Sequence, residues 1–350
     1  MAANPFTLGF GKRPHTFISR TSEIQSVIND FNEENSASQS YLITGVRGSG
    51  KTVTMTAIAN SLKESGDWIV INLNPNRDLL KSLVAKLYDI PELHQLFIKA
   101  KFNLTLFGIG AAIENVPPIN DIEVALEKML AQVKLLDKKV LVTIDEVTKT
   151  ENIKIFTSSF QLLIREDYPI FLLMTGLYEN IYELQNDATL TFLYRSPRLD
   201  LAPLDKISIK KRYRKIFNLT DEKAINMANL TAGYSFAFQT LGYLCWKNRN
   251  YLDNRKALLE AYDEALQSYV YQKIWSELSG QDKKVLKALS RQSKTRVKDL
   301  RESLNFTPSL LSVYRERLKR KGLIDTSEYG YISLTLPRLS DFILEYEGLE

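Results

Sequence analysis

In the first half of the chain, apolar residues gather in short unbroken runs; in the second half they recur at helical spacing. Residues 40–44 (Ser-Tyr-Leu-Ile-Thr), 140–144 (Val-Leu-Val-Thr-Ile) and 169–174 (Pro-Ile-Phe-Leu-Leu-Met) are bounded by charge, polar residues or glycine. Runs of this length predict strands buried on both faces, as in a parallel sheet. Between them, Val53, Ile58 and Leu62 fall on one face of a helix over 53–64, and residues 122–135 form a second helical pattern leading into the strand at 140. Strand and helix in alternation predict an α/β layer structure. Residues 101–110 alternate polar with apolar and predict a strand or hairpin edge, with a partner-contacting insertion as the other reading.

Beyond residue 203 the pattern is helical throughout: 203–217, 221–231, 235–248, and a long stretch over 254–279. After Gly280 the elements shorten. Val285, Leu286 and Leu289 face inward from a helix over 282–291, and Val297, Leu300 and Leu304 from one over 295–304. A third helix starts at Thr307-Pro308, proline being tolerated in a first turn. Leu310, Leu311, Tyr314 and Leu318 form its inward stripe, Gly322 ends it, and 324–334 reads as a β-hairpin. Three helices and a hairpin predict a winged helix with the third helix as recognition element. Ser309, Ser312, Arg315, Lys319 and Arg320 fall away from that stripe and are its candidate contacts to nucleic acid; Tyr329 and Tyr331 sit at the hairpin tip.

Composition narrows the picture. At 350 residues, 44% hydrophobic and 25% charged, the chain is globular and long enough for two or three domains. No apolar run approaches the 18 or so residues of a membrane span, and the first residues lack a secretory apolar stretch. A single cysteine, Cys245, and two distant histidines, His15 and His94, offer neither disulfide nor zinc pattern. A reduced, cytoplasmic protein without a membrane partner is expected. Trp68, Trp246 and Trp275 read as packing residues. The net charge of +5 is unevenly spread: residues 280–323 hold 13 Lys and Arg against 4 Asp and Glu. That basic stretch predicts an anionic partner, double-stranded DNA for a winged helix. A protein-docking winged helix with a solvated charged face is the competing reading.

The chemistry is concentrated where strands end. Gly45-Val46-Arg47-Gly48-Ser49-Gly50-Lys51-Thr52 fits G-x-x-x-x-G-K-[ST], a phosphate-binding loop, with a strand before it and a helix after. Glycines let main-chain N–H groups turn around phosphate oxygens, and the helix start adds partial positive charge. Lys51 is expected to reach the outer phosphates and Thr52 to ligate Mg²⁺, with Arg47, Ser49 and Val53 completing the loop's contacts with ATP. A carboxylate must then come from a neighbouring strand, and Asp145-Glu146 ends the run at 140–144. Asp145 would hold the metal through water and Glu146 polarise the attacking water. Thr175, at the end of the third run, is a candidate sensor of the γ-phosphate or guide of that water.

In this order the pieces resemble the AAA+ ATPases, specifically the origin-recognition-like initiator clade and its bacterial and archaeal relatives, over nearly the whole chain. The resemblance implies a three-layer P-loop core with a parallel sheet over 1–202, an α-helical lid over 203–279 and a winged helix over 280–350. It places Arg20, Glu23 and Ile24 of Phe17–Ile24 beside the adenine. It implies an arginine finger acting on a neighbouring subunit, hence a homo-oligomer, with Arg195 first and Arg198 second in Thr191–Leu201. Where the clade often carries a lid arginine, this sequence has Phe236 in Thr231-Ala232-Gly233-Tyr234-Ser235-Phe236. A slow or partner-stimulated ATPase is therefore expected. The implied function is initiator-like control of DNA binding or assembly by ATP. The alternatives are a nucleotide-gated signalling or defence switch, or an accessory ATPase serving a separate effector protein.

Overall fold

The computed structural model describes residues 3–9, 14–33, 36 and 38–348. The chain forms two compact units. One comprises Thr21–Thr44 and Lys51–Asp200, the other Met1–Arg20, Gly45–Gly50 and Leu201–Glu350.

The first unit is built on β1 (Ser40–Thr44), β2 (Trp68–Leu73), β3 (Lys139–Ile144), β4 (Ile170–Gly176) and β5 (Arg198–Asp200). All pairings are parallel, in the order β2-β3-β4-β1-β5. Its helices are α1 (Thr21–Asn32), α2 (Lys51–Glu64), α3 (Leu79–Tyr88), α4 (Pro91–Lys99), α5 (Ile122–Leu135), α6 (Glu151–Arg165), α7 (Tyr178–Gln185) and α8 (Thr191–Arg195). The apolar runs behave as expected. Every residue of β1 and β4 is buried, as is all of β3 except its first. Trp68 packs edge-on against Phe171, with Phe31 beside both, so it is a core residue.

Residues 101–110 are not a strand. They form a loop around a 3₁₀ turn at Thr105–Phe107. The alternation arises because Phe102, Leu104 and Ile109 each plug separately into the core. Asn103 organises the turn from within: its Nδ2 donates to Val116 O at 2.7 Å, and its Oδ1 accepts from the Thr105 hydroxyl at 2.7 Å. Asparagine favours such local bonds over a ladder.

The second unit carries α9 (Lys206–Phe217), α10 (Asp221–Thr231), α11 (Ser235–Lys247), α12 (Arg255–Leu266) and α13 (Gln272–Ser276), the last two joined by a π turn at Gln267–Tyr271. Then come α14 (Gly280–Ser290), β6 (Thr295–Arg296), α15 (Val297–Leu304), α16 (Pro308–Arg320), β7 (Ile324–Asp325), β8 (Tyr331–Leu334) and α17 (Leu339–Glu347). The strands form an antiparallel sheet in the order β6-β8-β7, giving helix–strand–helix–helix–hairpin, the winged-helix arrangement. Thr295 thus begins a short strand rather than a helix, because Thr295 pairs with Ile332 across the sheet. Leu310 leaves the expected inward stripe: it is exposed, while Leu311 and Leu318 carry the buried face. One apolar cluster runs from Phe6 through Tyr213 and Phe238 to Trp275, Leu318 and Phe342.

Candidate functional site

In the sheet unit, the register of β3 and β4 pairs Ile144 with Met174, so the next residues, Asp145 and Thr175, emerge side by side at the carboxyl edge. The Thr175 hydroxyl donates to Asp145 Oδ1, and Thr52 Oγ1, one residue into α2, donates to Asp145 Oδ2 at 2.8 Å. Both carboxylate oxygens are therefore fixed, leaving Asp145 an acceptor of defined orientation. Thr175 is buried against Asp145, and its place is that of a brace on that carboxylate.

Glu146 lies in the left-handed region, at φ 54°. This conformation is uncommon for a residue with a Cβ and concentrates at functional turns. Its main-chain N–H donates to Asp145 Oδ1 at 3.1 Å and to Thr175 Oγ1 at 3.2 Å. Its side chain is exposed and, among the described residues, has no partner. Lys51 opens α2 and is buried. Val53, on the same turn, is half-buried.

The sequence did not signal Asp187. Buried, it accepts from the Thr189 hydroxyl at 2.6 Å and pairs with Lys149 at 2.8 Å and Lys154 at 3.4 Å. These bonds, that from Lys149 foremost, hold its carboxyl well below the ordinary aspartate range. Both lysines follow Glu146 closely in the chain, so Asp187 ties down the segment leaving the acidic turn.

Arg195 and Arg198 differ in availability. Arg195, at the end of α8, is exposed and unpaired among the described residues, with Tyr194 exposed beside it. Arg198 lies over the Tyr178 ring at 4.8 Å and pairs with Asp200 at 3.3 Å.

The other unit holds Gly45–Gly50. Gly48 and Gly50 have φ of 75° and 97°, open to glycine without strain. At Gly48 space also forbids a side chain: a Cβ there would lie 2.4 Å from Tyr234 Oη and 2.9 Å from Phe236 Cβ. The start of α11 grips the loop. The Tyr234 hydroxyl donates to Arg47 O at 2.5 Å, Phe236 N–H to Gly48 O at 3.0 Å, and Ser235 Oγ to Ser49 O at 2.8 Å. Arg47 also pairs with Glu277 at 3.3 Å, and Val46 lies against Gly322. Arg47 Nε and Ser49 Oγ are buried without a partner among the described residues. Orphaned donors in a glycine loop fit an anionic ligand such as a phosphate chain. Arg20, in the same unit, is buried.

On α16, Ser309, Ser312 and Lys319 are exposed and Arg315 is half-buried. Arg320 pairs with Glu316 at 3.1 Å. Arg317 is committed inward, its Nε and Nη2 reaching Asp282 Oδ1 at 2.8 and 2.6 Å. Val313 is 60% exposed on the same helix, and Tyr329 at the hairpin tip is 100% exposed. Tyr331 is not at the tip: it lies in β8 with Lys294 and Arg296 over its ring.

Residues 17–179 match the family described as an ATPase domain predominantly from Archaea, and residues 268–343 match a domain of unknown function. No curated protein matches. Among solved structures, the chain is similar to the Walker-type ATPase PABY2304 of Pyrococcus abyssi, at 13% identity and a TM-score of 0.61, with 94% of this chain and 96% of that one covered. It is also similar to the ORC2 protein of Aeropyrum pernix, solved in ADPNP–ADP complexes, at 12% identity and a TM-score of 0.59, with 98% of each chain covered.

Proposed function

We propose, from the premise that residues 17–179 are an ATPase domain of this archaeal family and that the chain has the α/β P-loop AAA+ fold, that it binds ATP with Mg²⁺ and hydrolyses it. The observation that carries the reading is Asp145, oriented by Thr52 and Thr175, with an unpartnered Glu146 next to it. Gly45 to Thr52 is continuous in the chain, so loop amides, Lys51 and Thr52 serve one ligand. Gly45, Arg47, Gly48, Ser49 and Gly50 cradle phosphates, with Val53 following them and Arg20 beside the adenine. Lys51 supplies a cation to the outer phosphates. Thr52 and Asp145 are the protein's share of the magnesium site, and the ion would neutralise charge on the phosphates when bound. Glu146 accepts a proton from the attacking water, and Arg195 of a second copy completes the site. A buried Phe236 at the lid position supports slow or partner-stimulated turnover.

Lys51→Ala is expected to abolish ATP binding in calorimetry. Glu146→Gln should keep binding and lose roughly 10²–10⁴-fold in turnover. Normal hydrolysis by Glu146→Gln would overturn the assignment.

In this reading the core (1–202) and lid (203–279) regulate a winged helix (280–350) that binds double-stranded DNA through Ser309, Ser312, Arg315, Lys319 and Arg320. The basic stretch at 280–323 supports it. A second reading, in which the winged helix docks a protein, is favoured by exposed Leu310 and Val313 beside Glu316 on the same helix. Fluorescence anisotropy with duplex DNA at two salt concentrations separates them. Salt-sensitive binding that an Arg315, Lys319, Arg320 triple alanine variant loses supports DNA, and its absence supports the protein partner.

A further inference from the structure

Three successive carbonyls of the phosphate loop, those of Arg47, Gly48 and Ser49, are each held by one of three successive residues at the start of α11. The Tyr234 hydroxyl takes the first, the Phe236 N–H the second and Ser235 Oγ the third. Such one-to-one bonding fixes three peptide planes at once. In a trans peptide the carbonyl and the following N–H point to opposite sides. Carbonyls drawn toward α11 therefore aim the amides of Gly48 and Gly50 the other way. The Ser49 N–H instead closes the loop on Val46 O at 3.2 Å. The amides of a phosphate loop bind only when they converge, and a free glycine-rich segment would lose that convergence to its own conformational freedom.

Tyr234 has the character this task needs. Its ring is buried, and burial pushes its hydroxyl well above the ordinary tyrosine range, so it remains a neutral donor. Gly48 has no side chain to keep the Tyr234 and Phe236 side chains away. The close approach is thus written into both partners.

We infer that Tyr234 is a positioning residue for nucleotide binding: with Ser235 and the Phe236 amide, it holds the phosphate loop from its carbonyl side so that the loop's N–H groups converge on the phosphates. This rests on the ATP reading above. In this role Tyr234 acts through Arg47 and its neighbours rather than on the nucleotide itself.

The test is Tyr234→Phe, which removes one hydroxyl from a buried site, with Ser235→Ala as a second variant that removes a different bond of the same set. Both are made in the full chain. Losing one hydrogen bond to the loop is expected to raise KM for ATP and the Kd for ADP roughly 5–20-fold, with kcat changed by less than about two-fold. A purely structural role would lower the melting temperature without this split. Wild-type protein that binds neither ATP nor ADP overturns the ATPase reading and this one with it. Wild-type binding that depends on Lys51, together with wild-type affinity in both variants, overturns the positioning role alone. If Tyr234→Phe does not fold, Ser235→Ala decides by the same criterion.

Discussion

At the carboxyl edge of the parallel sheet, two hydroxyls hold Asp145 while the adjacent Glu146 carboxylate has no partner among the described residues. On α16 the situation is reversed: Arg317 and Arg320, prominent in the basic stretch, are already paired with Asp282 and Glu316, leaving Arg315 and Lys319. The first region has few charges with assigned directions; the second has many charges, some spent internally. A motif with fixed spacing specifies a stereochemical arrangement, whereas a charge count does not say which charges face outward. This is why the residues at 45–52 and 145–146 speak more sharply about chemistry than the 13 cations of 280–323.

The largest effect that would test this contrast is on Asp282. It is 2% exposed, caps α14 through a reciprocal bond with Ser279 and holds Arg317 in two bonds. Asp282→Ala removes the side-chain half of the capping box and leaves Arg317 only its bond to Ser279 Oγ. Since Arg317 is partly exposed, the loss is below that of a fully buried pair, about 3 kcal/mol, read from urea midpoints. A change under about 1 kcal/mol would mean that Arg317 is not committed inward. Next is Thr175→Val, which keeps the shape but takes one of two donors from Asp145 Oδ1 and withdraws a partner from the Glu146 N–H. Turnover should fall about ten-fold, equivalent to ~1.4 kcal/mol, at unchanged ATP affinity. An undiminished rate would show that Asp145 needs no brace from Thr175.

Asp187 gives a pH signature. Its depressed pKa means that its bonds to Lys149, Thr189 and Lys154 stabilise the fold above the ordinary value of 3.8 and are lost as pH falls through the depressed one. Wild type should exceed Asp187→Asn in stability at neutral pH, and the gap should close steadily in acid below that value. A pH-independent gap would sink this assignment. The smallest effect belongs to Arg320→Ala: its i,i+4 pair with Glu316 is worth under about 0.5 kcal/mol, measured by thermal melting.

Much of this was legible in the sequence, and the reasons differ by residue. β1, β3 and β4 announced themselves because burial on both faces demands unbroken apolar runs. The loop at 45–52 and Asp145-Glu146 stand out in the sequence because a fixed chemical task would impose such fixed spacing. Thr175 could be named but not its bond to Asp145, which depends on the strand register. Tyr234 gave no signal, since a tyrosine before a helix is ordinary until the loop it holds is seen. Asp187 was missed for the same reason: its lysines lie more than thirty residues earlier. Leu310 misled because both adjacent leucines fit the stripe in the sequence, while only Leu311 lies on the buried face. The segment 101–110 misled because separately anchored residues can mimic a pleat. Helix α17, with Phe342 and Ile343 buried, carries apolar spacing that was not read as an element.

The π turn between α12 and α13 has a geometric consequence. Leu266 and Trp275 are both buried, yet nine residues of plain α-helix span about two and a half turns and would set them on opposite sides. The wider winding of Gln267–Tyr271 takes up part of that offset, and Trp275 meets Phe342 edge-on. Deleting one residue within those five would restore uniform winding and leave the helix beyond at nearly the same angle, since about five residues of π winding turn as far as four of α-helix. A single surplus position is thus accommodated without turning the residues that follow it.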